Sequence, residues 1–446
     1  MIKIAMIGAG SVVFVKNLLT DILSLPELQD CTIALHDIDA ERLETAGMMA
    51  RWTAAQFKAP AVVEEHADRR ACVAGADFVI NMVQIGMHEA TLLDFRIPAK
   101  YGLKQTIADT VGIGGIFRGL RTIPFMLDLA ADMQAVCPGA LLLNYTNPMS
   151  ILTWAVYRAF PQQRVVGLCH NIQFTARDLA GYLGVALDQL SYDCAGINHM
   201  TWFMRLMVDG RDAYPQLFEA ARDPAIFAKD KVRFELMRCL GRFVSESSEH
   251  TAEYTPYFLR RDDQITQFDV PVDEYITRSE RNLRRYAETR AKLLAGESFP
   301  LERSPEYGAT ILHAMVTGQP AIIYGNVRNT GLIGNLPEDC CVEVPVVVDR
   351  NGLRPVHHGN LPPELAAHCA PHVFVQDLTV RAALEGDREA VFRAATLDRH
   401  AASVLTLAEI RAMTEELIEA HGPAMPAGIW SRSNSQGMSE ALHAAE

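Results

Sequence analysis

The first half of this chain alternates short, almost wholly apolar runs with longer stretches of helical periodicity. The apolar runs are Lys3–Gly8, Thr32–His36, Asp77–Val83, Ala140–Tyr145 and Arg164–Leu168. Between them, Val15–Leu25 places apolar residues at 15, 18, 19, 22 and 23, and Ala40–Phe57 has a similar period. A strand that is apolar at every position is covered on both faces, which a parallel sheet with crossover helices achieves. The pattern predicts βαβ units and an N-terminal Rossmann-type, doubly wound parallel sheet. After about Ile197 the rhythm changes. Long amphipathic segments (Pro224–Ser245, Asp273–Leu294) precede strand-like pieces at Pro320–Tyr324 and Cys341–Val348, then helical stretches at Leu378–Ala395 and Ser403–Ala420. This predicts a C-terminal, mainly helical α+β domain, with residues 1–196 as the first domain and 197–446 as the second. The tail from about Met425 carries little pattern and is expected to be loosely ordered.

Composition narrows the partners. The 446 residues carry a formal charge of −13, which argues against nucleic acid or an anionic membrane as the main partner. No apolar run reaches the ~18–20 residues that span a bilayer. Met1 leads directly into a strand without a leader pattern, so a cytoplasmic location is expected. The nine cysteines show no CxxC pair and no disulfide-framework spacing. Most read as small buried hydrophobes, with Cys169 set apart by its position.

Several motifs fall where a parallel sheet concentrates chemistry, at strand carboxyl ends. Gly8-Ala-Gly10-Ser11 follows the first strand and opens a helix, a turn whose backbone can approach a pyrophosphate. Val13 replaces the third glycine of the usual fingerprint. Asp37, ending the second strand, suits ribose hydroxyls and favours NAD over NADP. Without those flanking elements, the same residues would read as a plain strand–turn–helix. Cys169-His170-Asn171 ends the fifth strand, and Gly196-Ile-Asn-His199 ends another strand-like segment. A thiolate and an imidazole on two strand ends could hold one divalent ion and leave positions open for substrate oxygens. Taken singly, Cys169, His170 and His199 fit ordinary interior roles better than a catalytic one. The glycine-dense loop from Asp109 to Arg121 could wrap a nicotinamide or a sugar. Asn147, before Pro148, offers a polyol both donor and acceptor, or serves only the turn. Ser245–Phe258 packs three acids, His250, Tyr254 and Tyr257 into one short stretch.

Together these pieces resemble glycoside hydrolase family 4, the NAD- and divalent-metal-dependent glycosidases. The resemblance rests on GAGSVVF, ADFVINMVQIG, QTIADTVGIGGIFRGLRTIP, NYTNP, VVGLCHN, GINHMTWF, SSEHTAEYTPYF and NLPEDCCVEVPVVVD. It implies a lactate/malate dehydrogenase-like architecture, in which the first domain binds NAD and the second serves substrate, metal and oligomerisation. It also implies an elimination route: oxidation of the sugar at C3 by NAD⁺, loss of the C2 proton, cleavage at C1, addition of water and return of the hydride. By the resemblance, Cys169 and His199 hold the metal, usually Mn²⁺, and His170 donates a proton to the leaving oxygen. Tyr254 is the C2 base, with Tyr257 as runner-up and Asp109 as a further catalytic candidate. Gly8, Gly10, Ser11, Asp37, Asn81 and Gln84 bind the cofactor, and Asn147 binds substrate.

Members acting on 6-phosphosugars carry Cys-Asn-x-Pro at the metal cysteine and an arginine shortly after the third strand. This chain has Cys169-His170-Asn171 and Thr91 at those places. The resemblance therefore implies a small unphosphorylated α-glycoside, an α-galactoside or a hexuronide, and a homodimer or homotetramer. Asn171 departs from the Cys-His-Ser of the α-galactosidase and α-galacturonidase members. An α-glucosidase or α-glucuronidase of the same family is the near alternative. A lactate/malate-type NAD-dependent dehydrogenase is the alternative from another class, and a metal-free sugar or nucleotide sensor is a third. These readings separate cleanly: hydrolysis should require both NAD⁺ and a divalent ion, with no net NADH formed. A stoichiometric rise in absorbance from NADH during turnover, or full activity after chelation, would point to the other classes.

Overall fold

The computed structural model describes residues 1–431. Its strands are β1 (Ile2–Ile7), β2 (Cys31–His36), β3 (Val62–His66), β4 (Phe78–Asn81), β5 (Leu141–Asn144), β6 (Val165–Gly167), β7 (Leu190–Ile197), β8 (Met200–Val208), β9 (Arg211–Asp212), β10 (Ala321–Arg328), β11 (Cys341–Asp349) and β12 (Gly352–Pro355). They form one sheet in the order β3-β2-β1-β4-β5-β6-β10-β11-β7-β8-β9, with β12 beside β11. The first six are parallel, in the doubly wound order of a dinucleotide-binding sheet. The five expected N-terminal strands are all present.

Beyond β6 every pairing between these strands is antiparallel. The second half of the chain thus extends the first sheet. β10 meets β6 at Asn326 and Gly167, and β11 meets β7 at Glu343 and Gly196. These pairings bring the ends of β6 and β7 onto one stretch of the sheet. Gly167 permits the approach of β10, because a Cβ there would lie 2.9 Å from that of Asn326.

The helix Ala40–Phe57 has the bounds the period predicts; Asp39 caps its start by accepting from the Arg42 amide. The expected helix Leu378–Ala395 is in fact two, Pro363–Glu385 and Arg388–Leu397. Gly386 (φ 68°) ends the first, and Asp387 caps the second. Pro224–Ser245 likewise divides into Pro224–Phe227 and Lys231–Leu240. The tail expected to begin near Met425 includes a short helix, Ala427–Trp430, and from residue 432 onward it lies outside the described residues.

The late helix Leu407–His421 is tied back to the N-terminal half of the chain by a buried ion pair. Arg121, on the helix Gly112–Val136, donates to both oxygens of Asp94 at 3.0 and 2.6 Å. His421 contacts Asp94 Oδ1 at 2.9 Å. Asp94 sits on the helix Met87–Lys100, so one carboxylate joins three helices. Removing one member leaves a buried charge unpaired, which costs about 3–5 kcal/mol. Asp94→Ala should therefore lower the urea midpoint by an equivalent amount, and a shift worth under about 1 kcal/mol would contradict this role.

Candidate active site and metal centre

The turn after β1 has the shape that the nucleotide reading requires. Gly8 holds φ 83°, and a Cβ there would lie 2.8 Å from the Val83 side chain. The Gly10 amide donates to Asp37 Oδ2 at 2.7 Å, and a Cβ at Gly10 would strike that same oxygen. Ser11 precedes the helix Val12–Leu23, whose first amides lack intrahelical partners. The other carboxylate oxygen of Asp37 accepts from the Asp39 amide. Asn81 is buried and donates to Asn144 Oδ1 and Thr146 Oγ1, tying the ends of β4 and β5 together. Gln84 packs over the start of the next helix, 3.4 Å from the Met87 carbonyl and from Thr91 Oγ1. These residues suit a dinucleotide lying across the carboxyl end of the sheet.

Beside this turn is a cavity of about 200 Å³. Asp109, Asn147, Cys169, His170 and His199 all line it, joined by Phe14, Tyr145, Glu246, His250 and Arg278. Cys169 Sγ lies 3.2 Å from His199 Nε2, and Glu246 Oε2 lies 4.0 Å from that same nitrogen. The three ligand atoms all fall within 4.8 Å of one another, close enough to share one ion. Thiolate, imidazole and carboxylate together suit a divalent transition metal. Burial lowers His199 to about 4, so its imidazole is neutral, the form that ligates. Burial pushes the Cys169 thiol well up, so its proton must leave as an ion binds.

His199 occupies the two-residue turn between β7 and β8 with φ 60°, in the left-handed region. Such a position usually takes glycine or asparagine. A strained histidine facing a cavity is an observation that points to function.

His250 stands between two carboxylates, 3.1 Å from Glu246 Oε1 and 3.7 Å from Asp109 Oδ1. Although burial opposes protonation, Glu246 and then Asp109 raise it to about 9. Burial also opposes ionisation of Asp109, yet His250 and Arg118 hold its carboxyl far below the usual range. Asn147 donates to Asp109 Oδ2 at 3.0 Å, and its own buried Oδ1 has no partner. That oxygen is a buried acceptor whose capacity is unused within the protein. Glu253 steadies the Asp109 loop by accepting from the amides of Thr106, Ile107 and Ala108 at 2.7–3.0 Å. His170 Nδ1 lies 2.9 Å from Glu306 Oε1, and that carboxylate raises the histidine against the effect of burial.

Two expected residues stand apart from the cavity. Tyr254 is fully buried; its hydroxyl donates to the Asn198 carbonyl at 3.1 Å, and its ring packs behind His199. Tyr257 is 46% exposed and packs against Phe258 and His368. The residues that sequence reasoning left unassigned are Glu246, His250, Arg278, Tyr145 and Glu306. Glu246 and His250 lay within a polar run already noted. Their signal was the short spacing: His250 lies on the helix Ser248–Tyr254 and Glu246, at φ 73°, in the turn just before it, so the two side chains meet.

This fold and site define a Rossmann-type protein in which a cysteine, a histidine and a glutamate meet in one cavity. Residues 3–185 match the family 4 glycosyl hydrolase model and residues 194–401 match the family 4 glycosyl hydrolase C-terminal domain, so the chain belongs to glycosyl hydrolase family 4. It is 42% identical to an α-galactosidase of Bacillus subtilis (strain 168) over 95% of this chain and 99% of the relative. An α-galactosidase of Rhizobium meliloti (strain 1021) is 37% identical over 95% and 89%. The crystal structure of putative glucosidase lplD from Bacillus subtilis superposes with a TM-score of 0.86 at 25% identity, covering 94% of this chain and 99% of that one.

The backbone at position 199 provides a test. A non-glycine residue in this conformation costs roughly 1–2 kcal/mol. His199→Gly should therefore be about 1 kcal/mol more stable than His199→Ala in urea denaturation, while both lose Mn²⁺ binding. Equal stability of the two variants would mean that the turn is unstrained, and Mn²⁺ retention would mean that His199 is no ligand.

Proposed function

We propose that this enzyme hydrolyses unphosphorylated α-glycosides, α-galactosides foremost, with NAD and a divalent ion such as Mn²⁺. The observation that carries this reading is the convergence of Cys169, His199 and Glu246 on one cavity beside the Gly8–Ser11 turn. Bound there, NAD⁺ would supply a reversible hydride acceptor and the divalent ion a Lewis acid. The chain's own groups then have defined tasks. Gly8, Gly10, Ser11 and Asp37 seat the dinucleotide, with Asn81 and Gln84 shaping the strand ends beside it. Asn147 Oδ1 accepts a sugar hydroxyl, and Asp109, fixed by Asn147 and Glu253, orients the ring. His170, steadied by Glu306, holds the proton for the departing oxygen.

Asp109 and Glu246 are the carboxylates that line the cavity, and Asp109, held ionised by His250 and Arg118, is the further candidate for accepting the C2 proton. Tyr254 takes that role only if its hydroxyl leaves the Asn198 carbonyl. We also propose the division into residues 1–196 and 197–446, a cytoplasmic location, and a homodimer or homotetramer. Among the described residues no helix is long and apolar enough to cross a membrane.

Support for an unphosphorylated substrate comes from the cations. Thr91 is buried and donates to the Met87 carbonyl, and the nearby Arg121 is fully engaged by Asp94 and the Ile85 carbonyl. One cavity residue favours a second reading. Arg278, paired with Glu274 at 2.5 Å, could receive a C6 carboxylate, as an α-galacturonide would present.

p-Nitrophenyl α-galactoside should be turned over with NAD⁺ and Mn²⁺ and its 6-phosphate should not; preference for the phosphate would refute the reading. His170→Ala should slow turnover by the ~10²–10⁴-fold of a lost acid, more for alkyl than for nitrophenyl leaving groups. Equal losses for both leaving groups would remove His170 from proton donation.

A further inference from the structure

Behind the cavity lies a second cluster that the proposed chemistry does not use. Glu343, on β11, is completely buried. Its Oε1 accepts from Asn326 Nδ2 at 3.0 Å. Its Oε2 accepts from Asn171 Nδ2 at 3.0 Å and, closely, from the Thr201 hydroxyl. Asn171 stands two residues after Cys169, and Thr201 two residues after His199. One oxygen therefore joins the two ligand-bearing turns. Ser245, immediately before Glu246, completes the tie by accepting from Asn171 Nδ2 at 3.1 Å and from the Thr201 amide at 3.2 Å.

We propose that Glu343 is a positioning residue for the metal centre, a triple acceptor that sets the turns carrying Cys169 and His199 at ligating separation. This rests on the assignment of Cys169 and His199 as metal ligands. The donor directions are fixed by neighbours. Asn171 Oδ1 already accepts from the Ile172 amide, so its NH₂ must face Glu343. Asn326 Nδ2 also points toward the Gly167 carbonyl, which fixes that amide in the same sense. Thr201 alone has freedom, because its hydroxyl also reaches the Ile197 carbonyl at 2.9 Å. A carboxylate satisfies all of these donors, whereas an amide at 343 must turn a donor toward Asn171 or Asn326. The same account gives Asn171 a purpose: a serine there is too short to span from the helix start to both Glu343 and Ser245.

The polarity argument predicts its own rescue. In Glu343→Gln, Nε2 faces the Asn171 amide donor, and the turn after Cys169 must shift. Adding Asn171→Asp turns that donor into an acceptor. Thr201 can then rotate its proton to the Ile197 carbonyl and accept from Gln Nε2.

The experiment titrates the full-length enzyme with Mn²⁺ alone, reading free Mn²⁺ by electron paramagnetic resonance, and measures NAD⁺ affinity alongside. Loss of such an outer partner typically weakens metal binding by about 10–100-fold. Glu343→Gln should fall in that range with NAD⁺ affinity within about twofold of wild type, and the double variant should recover to within about threefold. If Glu343→Gln does not fold, Asn171→Ala takes its place and should weaken Mn²⁺ by about tenfold. Wild-type Mn²⁺ affinity in the variant that folds overturns the inference, as does a double variant no better than Glu343→Gln. Cys169→Ser separates the two levels. Unchanged Mn²⁺ affinity there overturns the ligand assignment and this inference with it. A loss there, with Glu343→Gln unaffected, overturns this inference alone.

Discussion

The junction between β6 and β10 is the constraint on which the site depends. Six parallel strands build a Rossmann-type sheet whose sixth strand would otherwise present an open edge. β10 closes that edge in the antiparallel sense, and β11 and β7 follow. A parallel crossover would have sent the next strand end to the same rim by way of another helix. The antiparallel continuation instead turns the chain back, so the β7–β8 hairpin brings His199 to Cys169 from the far side of the junction. Glu343 and Asn326, buried where the two regimes meet, supply the polar contacts that fix this approach. Burying a carboxylate among neutral groups is costly unless it accepts hydrogen bonds, which accounts for the three donors around it.

The electrostatics of the cavity follow from the same crowding. Four carboxylates (Asp109, Glu246, Glu253 and Glu306) lie in or beside it, against three histidines and Arg278. His250, between Glu246 and Asp109, holds a proton, whereas His199, lodged deeper, does not. The neutral histidine faces the thiol and the charged one faces the carboxylates, although the centroids of the two rings lie only 4.5 Å apart.

Much of this was legible in the sequence because it is local. The Gly8–Ser11 turn, the five apolar strands and the bounds of Ala40–Phe57 follow from period and capping alone. β3 was not, because Val62–His66 is an edge strand with two glutamates and lacks the apolar run of its neighbours. The division of the late helices at Gly386 also escaped a reading by amphipathicity, since Arg388–Leu397 resumes much the same periodicity. Asp109, Asn147, Cys169, His170 and His199 were found because each ends a strand or opens a loop at the sheet's rim. Glu246, His250 and Glu343 were not, because their meaning lies in distance: they reach the site from strands and helices that only the folded sheet brings together. Tyr254 shows the limit of motif reasoning, since its ring supports His199 from behind while its hydroxyl serves a backbone carbonyl.

The central claim is that three turns separated in sequence converge to hold one metal ion through sulfur, nitrogen and carboxylate oxygen. X-ray absorption at the manganese edge of the Mn²⁺-loaded, reduced enzyme tests it most directly. The account predicts one sulfur scatterer from Cys169 in a shell otherwise made of nitrogen and oxygen, and loss of that scatterer in Cys169→Ser. A shell of nitrogen and oxygen alone in the wild-type enzyme would contradict it.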